Sequence, residues 1–365
     1  MIQSLARAFK EHGVGPQQPG SPTAAAAAAG TSASDAVRAL VPPAALADSR
    51  QTKMTVCGLE LEGVSISGQE TCIIVPRAKV AFDIGRCPQR ACFQQTVLLS
   101  HTHLDHVGGL PFHVATRCML GLPGSRVVAP KGYAAGVRKL VEAAMELQGS
   151  PPIEYEVAEL EAGQDMQLPS GYLCRSFPTT HTIPSQGYVL YSQRRKLRAD
   201  LQGKSGEEIR QLRLAGEEVT DTVEVRDTVE VTVEVTVEVT VEVTVEVTVE
   251  VTDTVEIPEI AFTGDTTAAF LGSEAAPVLN DALRARVLVM EMTFLCDNVT
   301  VEEARGKGHM HIADFVAHAH RFQNEAIVLI HFSPRYKRSD ILESLATMLP
   351  PTLRAKCVPL LNGIE

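Results

Sequence analysis

The sequence predicts an α/β fold in which a sandwich of two mixed β-sheets carries helices on its outer faces. Short alternating segments separated by glycine or proline follow residue 53, and this pattern predicts strands joined by tight turns. The last third of the chain alternates apolar strand-like runs with helical periodicity, which predicts β–α units. A chain of 365 residues, 45% of them hydrophobic, can bury the large core that such a sandwich needs.

The pattern assigns the elements in chain order. Early strands are expected at Leu59–Ile66, Thr71–Val75 and Lys79–Ile84. Later strands are expected at 127–130, 153–157, 172–178, 260–263, 287–290, 326–331 and 357–361. Helices are expected at 110–120, 133–147, near Asp281, at 312–322 and at 339–348.

The chain divides into a tail at 1–53 and a single domain at 54–365. The tail is rich in alanine, serine, proline and glycine, so it is expected to be disordered. Met1–Lys10 carries basic residues and no acid, so a transit peptide is one interpretation of this segment and an ordinary tail is the other. The sequence contains no run of 18 apolar residues, so no membrane span is predicted.

A repeat dominates the charge of the chain. Thr228–Val251 is six copies of Thr-Val-Glu-Val inside a low-complexity insertion at 220–256. Glu217–Glu259 holds fourteen acids and one base, so the other residues are close to neutral although the net charge is −11. Valine at every second position predicts a strand or hairpin without a register marker. Both an acidic interaction arm and a neutral expansion of a surface loop remain open.

The eight cysteines are scattered, and none forms a Cys-x-x-Cys pair. Their spacing therefore indicates neither a disulfide framework nor a structural zinc knuckle.

The most specific motif is His101-Thr102-His103-Leu104-Asp105-His106, which follows an apolar run. Imidazole nitrogen and carboxylate oxygen bind zinc in hydrolytic sites, and this spacing offers ligands for two ions. Two ions need more ligands, and His181, Asp265 and His331 each stand where a predicted strand leaves the core. The alternative is a polar turn after a buried strand, but the joint occurrence favours a two-metal hydrolase.

The segments around these residues resemble the ribonuclease Z (tRNase Z) family of the metallo-β-lactamase superfamily, most nearly its plant-type short forms. The resemblance covers 54–361 apart from the insertion. The matching segments are Glu70–Pro76, Ala81–Arg86, His101–Gly109, Ile183–Tyr188, Ala261–Thr266, Val287–Phe294, Gly308-His309 and Leu329–Tyr336.

The resemblance implies the metallo-β-lactamase αββα sandwich and two zinc ions per subunit. The first ion would take His101, His103 and His181. The second would take Asp105, His106 and His331, with Asp265 bridging the two ions.

The resemblance also assigns roles in catalysis. Asp105 would be the general base, and His309 would donate a proton to the departing 3′ oxygen. We expect Glu291 to orient or charge His309, although Glu291 could be an ordinary strand-end carboxylate and His309 a loop histidine. Asp83 and Gly85 are expected to brace the metal loop. The family usually has serine or threonine after this histidine, whereas Met310 stands here.

Family members grip the tRNA elbow with a protruding arm, which corresponds to 193–216 here. Seven basic residues against three acids between Gln193 and Arg213 would give salt-dependent phosphate contacts. A solvated charged helix is the alternative. The candidate substrate-binding residues are Arg194, Arg195, Lys196, Lys204, Ser333 and Arg335.

These expectations amount to a zinc-dependent endoribonuclease that removes the 3′ trailer from precursor tRNA, leaving a 3′ hydroxyl on the tRNA and a 5′ phosphate on the trailer. The family implies a homodimer. The expected location is the cytoplasm or nucleus, with the chloroplast as an alternative. The rivals are another hydrolase of the superfamily, such as a thioesterase or small-molecule phosphodiesterase, and an inactive RNA-binding homologue.

Overall fold

Two seven-stranded β-sheets form the body of the protein in a computed structural model. The structure describes residues 53–195, 199–201, 203–217, 219, 222–235, 239–252, 254–272, 277–295 and 298–364. The tail expected at 1–53 lies outside the described residues except for Lys53.

The first sheet runs β1 to β7 in chain order. Its first four strands pair antiparallel and its last four pair parallel, with β4 common to both parts. The strands are β1 (Lys53–Val56), β2 (Leu59–Ile66), β3 (Glu70–Val75), β4 (Val80–Phe82), β5 (Thr96–Leu98), β6 (Arg126–Pro130) and β7 (Glu156–Leu160).

The second sheet has the order β16-β15-β14-β13-β10-β9-β8. Its parallel half is β13 to β16, and β8, β9, β10 and β13 pair antiparallel. The strands are β8 (Asp165–Gln167), β9 (Leu173–Thr179), β10 (Ser185–Arg195), β13 (Thr254–Phe262), β14 (Val287–Glu291), β15 (Ala326–Ile330) and β16 (Cys357–Pro359).

Helices lie on the outer faces of both sheets, but the helix at Gly206–Leu214, in the 193–216 segment, has no buried residue. They are α1 (Leu104–Val107), α2 (Leu110–Met119), α3 (Ala134–Leu147), α4 (Gly206–Leu214), α5 (Pro277–Arg284), α6 (Val301–Gly306), α7 (Ile312–Ala317), α8 (Arg338–Met348) and α9 (Pro351–Arg354). Val114 of α2 and Val141 of α3 belong to the same apolar cluster as Val97 of the first sheet. Leu283, Phe315 and Leu345 of α5, α7 and α8 belong to the apolar cluster on the outer face of the second sheet.

The middle layer lies between the two sheets. Phe82 of β4 stacks on Phe262 of β13 with ring centroids 4.8 Å apart. Leu98, Tyr188 and Ile330 are fully buried in the same cluster. With helices outside each sheet, the molecule has four layers and is the αββα sandwich that the sequence predicted.

Most expected elements lie within a few residues of their predicted positions. The elements β1, β8, α6 and α9 are present without having been predicted, and further differences are as follows. The helix expected at 312–322 ends at Ala317 and continues as a 3-10 turn at Ala319–Arg321. The strand expected at 153–157 lies at Glu156–Leu160. The central strand β10 was not predicted, since its apolar run is short. The last three residues of the insertion expected at 220–256 belong to β13. They pair with 193–195 of β10.

The repeat forms a separate two-stranded antiparallel sheet of β11 (Thr222–Val235) and β12 (Val239–Thr252). Its register sets valine positions opposite valine positions, as in Val229 opposite Val245 and Val233 opposite Val241. Among the described strands, β11 and β12 pair only with each other. The period-2 pattern therefore forms the predicted hairpin.

No helix in the described part of the chain is long and apolar enough to cross a bilayer.

Candidate metal centre

The candidate metal centre lies at one edge of the sandwich, where strands of both sheets end. Asp83 follows β4, His101 follows β5, and His331 follows β15. Asp83 and His331 have φ angles of 56° and 63°, values that L residues rarely adopt. Such backbone conformations cluster at functional sites, where the surrounding structure holds them in place.

Three histidines form the first group of the centre. The Nδ1 atom of His103 lies 3.1 Å from Nε2 of His101 and 3.1 Å from Nε2 of His181. His101 is completely buried, while His103 and His181 are half-buried. Three imidazole nitrogens therefore face one point from the β5 loop and the β9–β10 loop.

Asp105, His106 and His331 form the second group. The Nε2 atoms of His106 and His331 each lie 3.6 Å from Oδ2 of Asp105. Asp265 stands between the two groups, because its Oδ2 lies 3.2 Å from Nε2 of His106, 3.4 Å from that of His331 and 3.8 Å from that of His101. The seven side chains assigned as ligands from the resemblance thus converge.

Four of the five histidines use their second ring nitrogen in a contact that fixes the ring. His106 Nδ1 lies 2.7 Å from Asp83 Oδ2, and His181 Nδ1 lies 2.7 Å from the Gly308 carbonyl. The Nδ1 atoms of His101 and His331 lie 3.0 Å from Ser100 Oγ and 3.1 Å from Thr293 Oγ1. Metal-binding histidines have such partners as a rule, because the second contact sets the tautomer and the direction of the free lone pair.

Asp83 and Gly85 brace the loop that carries the motif, as the sequence predicted. Asp83 accepts hydrogen bonds from the Ser100 amide and hydroxyl, both at 2.7 Å. A Cβ atom on Gly85 would stand only 1.7 Å from the carbonyl oxygen of Asp105, so only glycine lets the two loops approach this closely. The Gly68 amide also donates to Asp105 Oδ2 at 2.8 Å.

Glu291 and His309 meet beside the centre. Nδ1 of His309 lies 3.2 Å from Glu291 Oε1 and 3.8 Å from Asp265 Oδ2. Glu291 is fully buried and also accepts from the amides of Thr266 and Met310 and from the Thr293 hydroxyl. This carboxylate is therefore buried and held firmly against the ring.

His309 has a hydroxyl neighbour although Met310 follows it in the chain. The Met310 side chain is buried in the core, and Thr293 Oγ1 lies 3.4 Å from His309 Nδ1. The hydroxyl contact that the sequence motif lacks therefore comes from the segment after β14.

Buried charges shift the protonation of these groups in opposite directions. Burial alone would lower the pKa of His309, but Glu291 and Asp265 outweigh it and raise the pKa to about 9. Burial would likewise lower the pKa of His106, but Asp265 and Asp83 raise it well above its usual value. Burial and the neighbouring His106 hold the pKa of His101 well below the usual range.

The residues present fit divalent metal ions. Nε2 of His106, Nε2 of His331 and Oδ1 of Asp265 are buried without a hydrogen bond to any described residue. Buried polar atoms without partners cost stability, and a cation would remove that cost. The ligand atoms of each group lie within 4.8 Å of one another, and all come from imidazole or carboxylate, the donors that zinc accepts.

None of the described candidate substrate-binding residues belongs to the two ligand groups. Lys204 is exposed just before α4, Arg335 is exposed, and Ser333 is buried with its Oγ 3.5 Å from the Arg335 amide. Arg194 and Arg195 lie in β10, with their backbone paired to β13. Lys196 lies outside the described residues.

Three residues that orient the ligands were not predicted from the sequence, namely Ser100, Thr293 and Gly308. Ser100 and Gly308 are direct neighbours of His101 and His309 in the chain, which was the available signal. Thr293 gave no signal of its own, because its contact with His331 joins positions 38 residues apart.

Known proteins with similar sequences cover most of this chain, although no family model matches it. The chain is 40% identical to tRNase Z TRZ1 of Arabidopsis thaliana over 314 residues, which is 86% of this chain and 99% of that protein. It is 37% identical to the chloroplastic tRNase Z TRZ2 of the same plant, over 84% of this chain and 76% of that protein. Human tRNase Z, short form, superposes with a TM-score of 0.45 at 14% identity, covering 82% of this chain and 94% of that structure.

Proposed function

Because this chain belongs to the ribonuclease Z (tRNase Z) family, we propose that it is a zinc-dependent endoribonuclease that removes the 3′ trailer from precursor tRNA. The observation that carries the proposal is the convergence of His101–His106 with His181, Asp265 and His331 in a chain that matches a tRNase Z over nearly its full length.

Two divalent ions are proposed for the seven ligands. His101, His103 and His181 would hold the first ion. Asp105, His106 and His331 would hold the second, and Asp265 would contact both. When bound, two such ions supply Lewis acidity to the phosphodiester and activate water for in-line attack.

The chain's own residues would move two protons. Asp105, which the Gly68 amide holds in place, would accept a proton from the attacking water while the water oxygen bonds to phosphorus. His309 would give a proton to the 3′ oxygen as the bond between that oxygen and phosphorus breaks. The raised pKa of His309 supports this role, because a protonated imidazole is the form that can donate. These steps leave a 3′ hydroxyl on the tRNA and a 5′ phosphate on the trailer.

The arm at 193–216 is proposed to hold the tRNA. Lys204, Arg210 and Arg213 are exposed around α4, a position that suits contacts with phosphate. Arg194, Arg195, Lys196, Ser333 and Arg335 remain candidates for further contacts. A homodimer, in which one subunit's arm serves the other subunit's site, belongs to the same proposal.

The compartment is also a proposal. The cytoplasm or nucleus is favoured, and the chloroplast is the alternative because Met1–Lys10 contains no acid and one relative is named as chloroplastic.

The test is cleavage of a labelled precursor tRNA with and without a chelator, by the wild type and by Asp105→Ala. We expect trailer release by the wild type, its loss with chelator, and no cleavage by Asp105→Ala although tRNA still binds. Lys139→Ala, an exposed residue on α3, is the control and should cleave normally. Full activity of Asp105→Ala would refute the assignment.

Two rivals are separated by the same preparation. A small-molecule phosphodiesterase would cleave bis(p-nitrophenyl) phosphate and leave precursor tRNA intact. An inactive RNA-binding homologue would bind tRNA and hold less than about one metal ion per chain, because a binding module has no need of the ligands.

A further inference from the structure

Two cysteines and a histidine meet on the outer side of the first sheet, in a group that shares no side chain with the candidate metal centre. Cys87 Sγ lies 3.4 Å from Cys92 Sγ, and a ring nitrogen of His113 completes a group whose ligand atoms all lie within 4.8 Å of one another. Cys87 lies just before the 3-10 helix at Gln89–Phe93, Cys92 lies within this helix, and His113 lies on α2. We propose that these three side chains bind one zinc-like divalent ion.

His113 provides the first argument. Its side chain is completely buried, and neither ring nitrogen makes a well-formed hydrogen bond with a described residue. A buried imidazole without partners costs free energy, and a metal ion that takes one nitrogen would offset that cost. The ring also lies beside the backbone of Ala91, and a backbone carbonyl is the kind of group to which a metal-bound histidine gives its other N–H.

The spacing of the ligand atoms suits one tetrahedral ion. Zinc–sulfur bonds of about 2.3 Å and a tetrahedral angle put two sulfurs about 3.8 Å apart, close to the observed separation of the two thiols. Two thiolates and an imidazole are a common zinc donor set, and water could occupy the fourth position beside the half-buried Cys87. Harder ions such as Mg²⁺ or Ca²⁺ prefer oxygen and are not expected here.

The protonation of His113 and Cys92 favours metal binding, whereas the hydrogen bond with Cys92 and burial raise the pKa of Cys87. Burial and the nearby Arg117 hold the pKa of His113 at about 3, so the imidazole is neutral and keeps a lone pair free. A hydrogen bond from Cys87 lowers the pKa of Cys92, and Arg117 acts in the same direction. The more acidic thiol is the one that would lose its proton first.

Arg117 prepares the position of the site. It lies one turn after His113 on α2, and its Nη1 donates to the carbonyls of Cys92 and Gln94 at 2.7 and 2.8 Å. These bonds hold the 3-10 helix against α2 before any metal arrives. The ion would then join the segment after Asp83 to the helix that follows His101–His106, and so would stiffen the loop of the candidate metal centre.

Cobalt binding tests the proposal, because the candidate metal centre contains no sulfur ligand. Metal-free, reduced full-length protein is titrated with Co²⁺ under argon, and near-ultraviolet thiolate-to-cobalt absorption is recorded. We expect the amplitude of this band to correspond to one thiolate-bound cobalt ion per chain once all sites are filled. The band should disappear in Cys92→Ser and weaken in His113→Gln. Cys118→Ser, an exposed cysteine on the same helix, is the matched control and should leave the band unchanged.

The outcomes separate this site from the proposed function. Absence of the band in the reduced wild type would overturn the proposal, and this result does not depend on how any variant folds. Persistence of the band in Cys92→Ser would also overturn it. A Cys87–Cys92 disulfide in the isolated protein, with no cobalt bound after reduction, would also overturn it in favour of a redox pair. An undiminished band in Asp105→Ala would support it, whether or not that variant cleaves tRNA.

Discussion

At the residue scale, the orientation of the histidines in the candidate metal centre is set by the groups that contact their second ring nitrogens. The Thr293 hydroxyl contacts His331 Nδ1 and donates to Glu291, so one side chain serves both the ligand set and the pair formed by Glu291 and His309. Because each such contact fixes the direction of a lone pair, its loss weakens metal binding without removing a ligand.

Thr293→Val keeps the side-chain volume and removes the hydroxyl. We expect metal affinity to fall about 10- to 100-fold, the usual cost of losing a contact that orients a ligand. The measurement is a zinc titration against a competing chelator. Thr347→Val removes an exposed hydroxyl on α8 and is the control. Equal affinity in wild type and Thr293→Val would show that the hydroxyl does not orient His331.

Gly308 holds His181 through its carbonyl and leaves no room for a side chain. Its φ is 79°, and a Cβ atom would stand 2.6 Å from His181 Nδ1. Gly308→Ala should therefore cost about 1–2 kcal/mol from the left-handed backbone alone, and should also displace His181 and reduce zinc affinity and cleavage. Thermal unfolding and zinc titration measure the two effects.

Gly306→Ala is the matched control, because nothing lies within 4 Å of a Cβ atom at that position. It should be neutral or slightly stabilising at the end of α6. A Gly308→Ala protein that binds zinc as the wild type does would contradict the proposed packing.

At the element scale, the hairpin of β11 and β12 lies in the sequence between the basic arm and β13. Its strands pair with no other described strand, so the two large sheets do not depend on it. Thr228–Val251 carries six glutamates in sequence next to the arm. Negative charge close to phosphate-binding groups weakens binding of a polyanion, and salt screens the effect.

Deleting Thr228–Val251 should leave the unfolding temperature of the body unchanged. It should lower KM for precursor tRNA at low salt, with a smaller gain at high salt. Removing three of the six repeats is the graded control and should give an intermediate effect. The measurements are steady-state cleavage at several salt concentrations and thermal unfolding. An unchanged KM with an unchanged salt dependence would refute a charge effect of the repeat.

At the scale of the whole molecule, the candidate metal centre joins the two halves of the sandwich. His101, His103 and His106 follow a strand of the first sheet, while His331 follows a strand of the second. Ions bound between them would link the two sheets at one edge. An ion that binds only the folded state stabilises it by an amount that grows with the logarithm of its concentration.

Removing metal should therefore lower the unfolding temperature of the whole protein. At a free zinc concentration a hundredfold above Kd, each site adds about 2.7 kcal/mol to the free energy of unfolding. Calorimetry before and after dialysis against chelator measures the change, and added zinc should reverse it. Asp265→Asn should show a smaller response, because it weakens a ligand that faces both groups. An unfolding temperature that does not respond to zinc would contradict metal binding at this edge.

The sequence by itself determined most of the strands, the four-layer class and the ligand-type residues, because period-2 alternation and closely spaced histidines are local features. Only the tertiary structure decided what surrounds them. Thr293 reaches His331, Gly308 reaches His181, and Cys92 meets His113 across 38, 127 and 21 positions of the chain. Such contacts depend on how the loops of separate strands and helices meet, and no periodicity in the sequence records that.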